Sequence, residues 1–346
     1  MRAVVVTGSA WLPWSIAAVA SLAMLCLAVA LAMTVGEMQI PLAVVMRALG
    51  NATLDLGYAV SPIQQGVLLD YRLSRALFAA SCGGALAVCG VILQALLRNP
   101  LAEPYLLGIS AGASTGAVAV MVLGLGGAAL GISGGALLGA VLAILTVALL
   151  AAGSGGTSER VILSGVAAAQ IFNAATATIV TTFASAEQAR GVMFWLLGSL
   201  GGVRWPDVWL AAPVTLVGFA ICLAHARTLD AFTFGEDAAA SLGVSIPRAR
   251  LVLFATTAAM TAIMVSIAGA VGFVGLLIPH AVRLVVGPRH IRLLPAALVT
   301  GAAFLVVADI LSRTLIARQV LPIGVVTALF GAPAFALILT RARRRA

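Results

Sequence analysis

Few side chains in this sequence could take part in chemistry, and pairing or packing explains most of them. Asp309 is the clearest acid near an apolar span, and Arg313 follows it at i+4, on the same helix face. An acid so placed could carry a proton or a cation across a membrane, or it could simply neutralise that arginine; pairing is the plainer reading. His225, His280 and His290 stand toward the ends of apolar runs and read as satisfied interfacial residues rather than metal ligands. Cys26, Cys82, Cys89 and Cys222 all fall inside apolar stretches. Cys82 and Cys89 could share a helix face, but no disulfide or zinc spacing is present, so they read as small packing residues. There is no Walker A sequence, so the chain cannot hydrolyse ATP alone, and no HExxH; the Gly-x-Ser runs lack His and Asp partners.

The elements that position these residues follow from the solvent. The chain has 346 residues, 62% hydrophobic and 9% charged, with a mean hydropathy of +1.15. Soluble domains run near a quarter charged, and one globular core could not hide this much apolar surface. A bilayer can. The apolar runs are continuous and do not alternate, which disfavours a β-barrel. The expected fold is an all-α membrane protein, a polytopic bundle of about ten transmembrane helices in one domain spanning residues 1–346. The 36 glycines fit close helix packing.

Charge, proline and glycine clusters divide the chain into spans near 14–36, 72–97, 102–122, 128–152, 160–183, 207–226, 250–270, 272–286, 293–311 and 322–340. The stretch 11–36 reads as a retained first helix rather than a signal peptide. The spans at 102–122 and 272–286 are short or interrupted, as is tolerated where a helix is buried in protein or lines a wet cavity. Every basic residue is arginine. The net charge of +9 forms no stripe on a polar domain and so does not point to nucleic acid; beside apolar spans it reads as topology. With both termini cytoplasmic, 13 of the 20 arginines lie inside, and Arg47, Arg72, Arg75, Arg190, Arg204, Arg313 and Arg318 lie outside.

Two connections stand out. Residues 37–71 form an outside connection, in which Pro41–Gly50 is periodic enough for a short interfacial helix. Residues 227–249 form the longest inside connection. Glu236 and Asp237 there begin a short helix, Pro247 ends it, and the segment reads as a docking element. A weak echo relates Gly84-Ala85 and Gly90 to Gly269-Ala270 and Gly275 in spacing.

Taken in order, the motifs become recognisable. Tyr71-Arg-Leu-Ser-Arg-Ala-Leu and the run from Gly84 through Arg98-Asn-Pro-Leu-Ala-Glu-Pro-Tyr to Gly108-Ile-Ser-Ala-Gly-Ala come first. Phe194-Trp-Leu-Leu-Gly-Ser-Leu-Gly-Gly, Gly235-Glu-Asp-Ala-Ala-Ala-Ser-Leu-Gly-Val and Gly269-Ala-Val-Gly-Phe-Val-Gly-Leu-Leu-Ile-Pro-His follow, then Ala308-Asp-Ile-Leu-Ser-Arg and Leu321-Pro-Ile-Gly. From residue 70 onward the chain resembles the permease family of bacterial ABC importers for iron-siderophores, haem and cobalamin.

The resemblance implies two permease copies around a central path, two ATP-binding subunits beneath, and a periplasmic substrate-binding protein above, all in or at the bacterial inner membrane. No cofactor is expected on this chain; ATP and Mg would belong to the partner subunit. Gly235, Glu236, Asp237, Leu242 and Gly243 match the segment that couples to the ATPase. Arg72, Arg75 and Arg313 match arginines that receive acidic residues of the binding protein. Thr157, Ser158 and Glu159 match the cytoplasmic gate. Arg190 and Arg204 could meet anionic groups of the ligand near the outer mouth, or could equally serve topology or partner docking. Two departures are visible: Arg289-His290-Ile291 stands where the family often has Asp-His-Arg, and Ser74 replaces a usual proline, altering the helix start. Haem is the first substrate expected, ferric siderophore next and cobalamin third. The alternative is an ion-coupled secondary transporter working without an ATPase.

Overall fold

The computed structural model describes residues 11–36, 38–152, 158–316 and 318–343. The first span is α1 (Trp11–Thr34), followed by the short interfacial helix α2 (Leu42–Leu54). The helix α3 (Pro62–Gly66) runs through a π-helical stretch, Val67–Leu73, into α4 (Ser74–Leu96). A 3-10 turn at Pro104–Leu107 precedes α5 (Ile109–Leu123), α6 (Gly127–Ala152) and α7 (Ser158–Phe183). Then come α8 (Ala186–Leu196), α9 (Trp205–Ala224), α10 (Ala226–Phe232), α11 (Glu236–Ser241) and α12 (Ile246–Ala268). The chain closes with α13 (Val274–Val286), α14 (His290–Thr314) and α15 (Ile323–Arg343). Among the described residues the only β pairing is an isolated bridge between Ile316 and Gln319.

The expected all-α membrane bundle is what the chain forms. Six helical runs are long and apolar enough to cross a membrane: Pro62–Leu96, Leu130–Ala152, Glu159–Phe183, Trp205–Ala224, Ile246–Ala268 and His290–Thr314. The other four expected spans correspond to α1, α5, α13 and α15. With 13 residues, α13 reaches only about 20 Å at 1.5 Å per residue, short of a hydrocarbon core about 30 Å thick.

Helix α4 is the axis of the bundle, with 83% of its apolar window buried among α9, α12, α13 and α14. Small residues make this possible. A Cβ on Gly83 would run into the Gly301 carbonyl of α14, and one on Gly90 into the Gly275 carbonyl of α13. A similar contact joins α5 to α6 through Gly112 and Gly139. Dispersion between close backbones is the main attraction available where lipid is as apolar as leucine. The echoed glycines Gly90 and Gly275 thus meet each other, but Gly84 is within a helix while Gly269 follows the end of α12 at φ 72°, so the echo is not a structural repeat.

Interrupted backbone inside the bundle is paired within the protein. Ser199 N–H donates to Ala268 O (2.8 Å), Ile323 N–H to Gly198 O (3.0 Å) and Gly324 N–H to Leu197 O (3.0 Å). The Tyr105 hydroxyl donates to Val271 O (2.7 Å) and accepts from Val271 N–H (2.8 Å). Three non-helical connections are thereby knitted together, as a low-dielectric interior requires.

Four expectations change. The helix containing the 72–97 span begins at Pro62, so Ser74 does not mark a start. Its hydroxyl instead bonds back to Asp70 O (2.7 Å) inside a continuous helix. The 102–122 span opens with a 3-10 turn and only becomes α-helical at Ile109. Pro247 does not end α11; it occupies the first turn of α12, where its missing N–H costs nothing. Helix α8 was not foreseen. It is announced by a capping box, Ser185 Oγ accepting from Gln188 N–H (3.2 Å) and Gln188 Oε1 from Ser185 N–H (2.9 Å).

The glycine contacts give a direct test. Gly90→Ala and Gly301→Ala are expected to lower the unfolding temperature of the purified protein by several degrees, an overpacking cost of about 1–3 kcal/mol. Gly202→Ala, where a Cβ meets nothing within 4 Å, should leave it unchanged.

Candidate functional site

The residues singled out from sequence gather at two opposite ends of the bundle. At one end an open cavity of roughly 1570 Å³ is lined by five arginines, Arg72, Arg75, Arg204, Arg313 and Arg318, together with Tyr71 and the end of α1. The π-helical stretch carries Tyr71 and Arg72, and the first turn of α4 carries Arg75. π-Helical turns are rare and recur at functional positions. The 203–205 connection is pinned to that stretch, because Trp205 Nε1–H donates to Leu69 O (3.1 Å).

The three arginines expected to dock a partner are together here, but they are not equally free. Arg72 is buried; its Nη1 donates to Met33 O (2.7 Å) and Thr34 O (3.1 Å), and its Nη2 to Met38 O. Arg313 Nη1 donates to Ala32 O (3.1 Å) and Val35 O (2.6 Å). The carbonyls at a helix C-terminus have no partners of their own and carry partial negative charge. Arg72 and Arg313 satisfy them from outside the helix.

Asp309 is buried, and its partners are Arg75 and Arg313. Arg75 approaches its Oδ1 from Nε (2.8 Å) and Nη2 (2.7 Å). Arg313 Nη2 lies 2.9 Å from Oδ2, the i,i+4 pair read from sequence. This last contact is a charge contact whose N–H alignment falls short of a hydrogen bond. An acid committed to two arginines is poorly placed to carry an ion, which weighs against the ion-coupled alternative.

Arg204, read from sequence as standing near the outer mouth, and Arg318 join this trio in the cavity lining. Arg204 is exposed, with its guanidinium 4.5 Å from the centre of the Tyr71 ring. Its backbone N–H donates to Asp207 Oδ2 (2.8 Å), which fixes the start of α9. Arg318 is exposed on the connection between α14 and α15. Its only sequence signal was its place among the outside arginines. Arg190 is absent from the described lining of the cavity and lies exposed on α8.

At the other end, α10 packs into the core through Ala226, Leu229, Ala231 and Phe232, and the short helix α11 follows it. Gly235 (φ 107°) precedes α11 and Gly243 (φ 82°) follows it. Gly243 N–H donates to Ala240 O (2.9 Å) and Val244 N–H to Ala239 O (3.1 Å), the Schellman pattern that stops a helix at a left-handed glycine. Glu236 and Asp237 occupy the first turn, and Asp237 is exposed. Leu242 is 73% exposed and Phe234, which the sequence reading passed over, 79% exposed. Two large apolar side chains exposed together beside a short helix suit a partner surface.

This segment is tied to α14. Asp230 Oδ1 of α10 accepts from His290 N–H (2.9 Å) and lies 2.7 Å from His290 Nδ1. Arg289, at the N-cap of α14, makes no side-chain cap, so Asp230 supplies from α10 the acceptor that an N-cap acid would supply locally. Of the expected gate, Thr157 lies outside the described residues, Ser158 begins α7, and Glu159 is exposed in its first turn.

Helix α7 is the least covered span, with 17% of its apolar window buried. Gln170, Asn173, Ala177 and Thr181 are exposed at spacings of three and four, one helix face through the middle of the span. Glutamine and asparagine side chains are costly against lipid. This face therefore belongs against something polar.

Asp230→Ala is expected to lower the unfolding temperature, at a cost of about 0.5–2 kcal/mol for a lost cap. Asp230→Asn keeps an acceptor oxygen and should recover most of it.

With this geometry described, comparison with known proteins becomes specific. The model of the FecCD transport family matches residues 24–341. The cobalamin import system permease protein BtuC of Halobacterium salinarum is 42% identical over 285 residues, covering 82% of this chain and 76% of its own. The vitamin B12 import system permease protein BtuC of Shigella boydii is 40% identical over 298 residues, covering 85% and 90%. A transporter taken to be of the metal-chelate ABC type, solved in an inward-facing conformation, superposes with a TM-score of 0.82 at 27% identity, covering 94% of this chain and 98% of its own. The chain belongs to the FecCD transport family, the permease family that its ordered motifs resemble.

Proposed function

We propose that this chain is the path-forming permease of an ATP-driven importer, working as two copies in a bacterial inner membrane with both termini in the cytoplasm. The polar face of α7 carries this reading. A mid-span stripe bearing Gln170 and Asn173 needs a polar neighbour, and a path shared with a second copy of the chain provides one. Two ATP-binding subunits, which supply the ATP and Mg, dock on α11 through Glu236, Asp237 and Leu242, with Gly235 and Gly243 setting its ends. Phe234, exposed beside them, adds a further apolar contact. Thr157, Ser158 and Glu159 close the path on that side. A periplasmic binding protein docks over the arginine cavity that contains Arg72, Arg75 and Arg313.

The substrate we propose is a corrinoid. The names of the two permease relatives support cobalamin or another chelate ahead of haem, which reverses the order expected from sequence. The amide-bearing stripe of α7 is chemically compatible with a ligand rich in amide groups, because both offer donors and acceptors without charge. Arg190 and Arg204, first read as contacts for anionic ligand groups, are not needed for a corrinoid in the path.

The test is reconstitution with the cognate ATP-binding subunit and binding protein. ATP-dependent uptake of cobalamin is expected, exceeding that of haem or a ferric siderophore. Uptake driven by a proton gradient alone would contradict the importer reading, and a preference for haem would restore the original order. Phe234→Ala with Leu242→Ala should weaken ATP-binding-subunit association about tenfold or more, as for loss of apolar interface anchors. Glu236→Ala with Asp237→Ala should lower transport more than ATP hydrolysis.

A further inference from the structure

The docking segment α10–α11 and helix α14 meet at a single oxygen atom. Asp230 Oδ1 accepts from the backbone N–H of His290 (2.9 Å) and lies 2.7 Å from His290 Nδ1. An ionised carboxylate only accepts, so Nδ1 carries a proton. His290 is 2% exposed, and its Nε2 is buried with no hydrogen-bond partner among the described residues. A proton there would be a buried, unpaired donor, so the ring is held in its neutral Nδ1–H form. An orphaned ring nitrogen costs stability, and packing alone would be served better by an apolar side chain. Two donors converging on one carboxylate oxygen fix the position of the two elements while leaving their relative angle free, since carbonyl-type acceptors tolerate a broad range of directions.

The neighbouring tie runs to a different element. Arg283 Nη2 of α13 donates to Gln94 Oε1 of α4 (3.2 Å), and Gln94 Nε2 donates back to Gly275 O of α13 (3.3 Å). Between the two ties lies the turn at 287–289, where Gly287 adopts φ 81°, which glycine does without steric cost. The α13 side of that turn is therefore bound to the axis of the bundle, and the α14 side to the docking segment. Helix α14 is continuous through Pro295 over 25 residues, about 37 Å at 1.5 Å per residue. It rests directly on α4 at Gly301, midway along its length.

We propose that Asp230 and His290 are positioning residues for transport, forming the joint through which a displacement of the docking segment tilts α14. This rests on the reading of α11 as the surface that meets ATP-binding subunits. A shift of α11 and α10 carries Asp230 Oδ1, and with it the first residue of α14. The close contact at Gly301 turns that shift into a movement of the last turn, which bears Asp309 and Arg313. The turn at 287–289 takes up the difference, as a hinge of a few residues does, and α13 stays with α4. A cap acceptor on residue 289 would stabilise the same helix end, but it would travel with α14 and transmit nothing.

The test follows the far end of α14 in the permease bound to its cognate ATP-binding subunit, in nanodiscs and without binding protein. In a background lacking the four native cysteines, Thr314→Cys, exposed in the last turn of α14, is labelled with a membrane-impermeant maleimide. ATP is expected to change the labelling rate about threefold or more, as for a ligand that shifts a two-state equilibrium. Asp230→Ala and His290→Ala should each remove almost all of that change while ATP hydrolysis continues. Asp230→Asn and His290→Asn, which keep an acceptor and a donor at the joint, should retain it. Arg289→Asp in the Asp230→Ala background should recover the unfolding temperature through a local cap and yet leave the change lost, which separates positioning from stabilisation. The proposal is overturned if Asp230→Ala keeps the native change, or if Arg289→Asp restores both readouts together. It is equally overturned if Thr314→Cys in the otherwise native chain labels at one rate with and without ATP. A permease that binds no ATP-binding subunit would instead overturn the importer reading.

Discussion

A backbone carbonyl buried away from water must find a donor within the protein, and the architecture of this chain can be followed from how it meets that constraint. Helix α1 ends with open carbonyls at Ala32, Met33, Thr34 and Val35. Two arginines from α14 and from the π-helical stretch before α4 reach across to them. Asp309 then balances Arg313 and takes Arg75 as well. One helix end therefore gathers three elements and leaves a positively charged cavity beside them. The same rule operates inside the bundle, where the Tyr105 hydroxyl serves both polar groups of Val271 and three irregular connections pair with one another.

Helix α14 links the two functional ends. Its first residue is held by Asp230 of α10, and its last turns carry Asp309 and Arg313. Along its length Gly301 lets it lie directly on α4. A single element thus connects the face proposed to meet ATP-binding subunits with the face proposed to meet a binding protein. Helix α7 stands apart from this framework, largely uncovered, with its polar stripe turned outward. The chain reads as a packed support carrying one exposed working surface.

Much of this was legible in the sequence because membrane spans are continuous apolar runs, and a run of twenty such residues has few other uses. The pairing of Asp309 with Arg313 was legible for a similar reason, since i and i+4 meet on any helix. The Schellman stop at Gly243 was implicit in a glycine following a short helical pattern. Other features were hidden by distance. Nothing near Arg72 in sequence indicates that its partners are Met33 and Thr34, and nothing near His290 points to Asp230. Helix α8 was passed over because it is short and partly polar, although Ser185 and Gln188 carried the capping signature. Pro247 was misread because proline marks the first turn of a helix as readily as the residue after one. The stripe on α7 needed exposure as well as spacing, since a polar residue within a span could equally face a partner helix.

The central claim is that the Gln170–Thr181 face of α7 borders an aqueous path. In a background lacking the four native cysteines, single cysteines at Gln170, Asn173, Ala177 and Thr181 can be probed with a membrane-impermeant thiol reagent, with Ile171 and Thr182, exposed on a different face of the same helix, as comparisons. The account expects labelling that follows the helical face, strong at the stripe, weak at the comparison positions, and reduced when the transported ligand occupies the path. Uniformly unreactive cysteines along the stripe, or labelling that ignores the helical period, would contradict it.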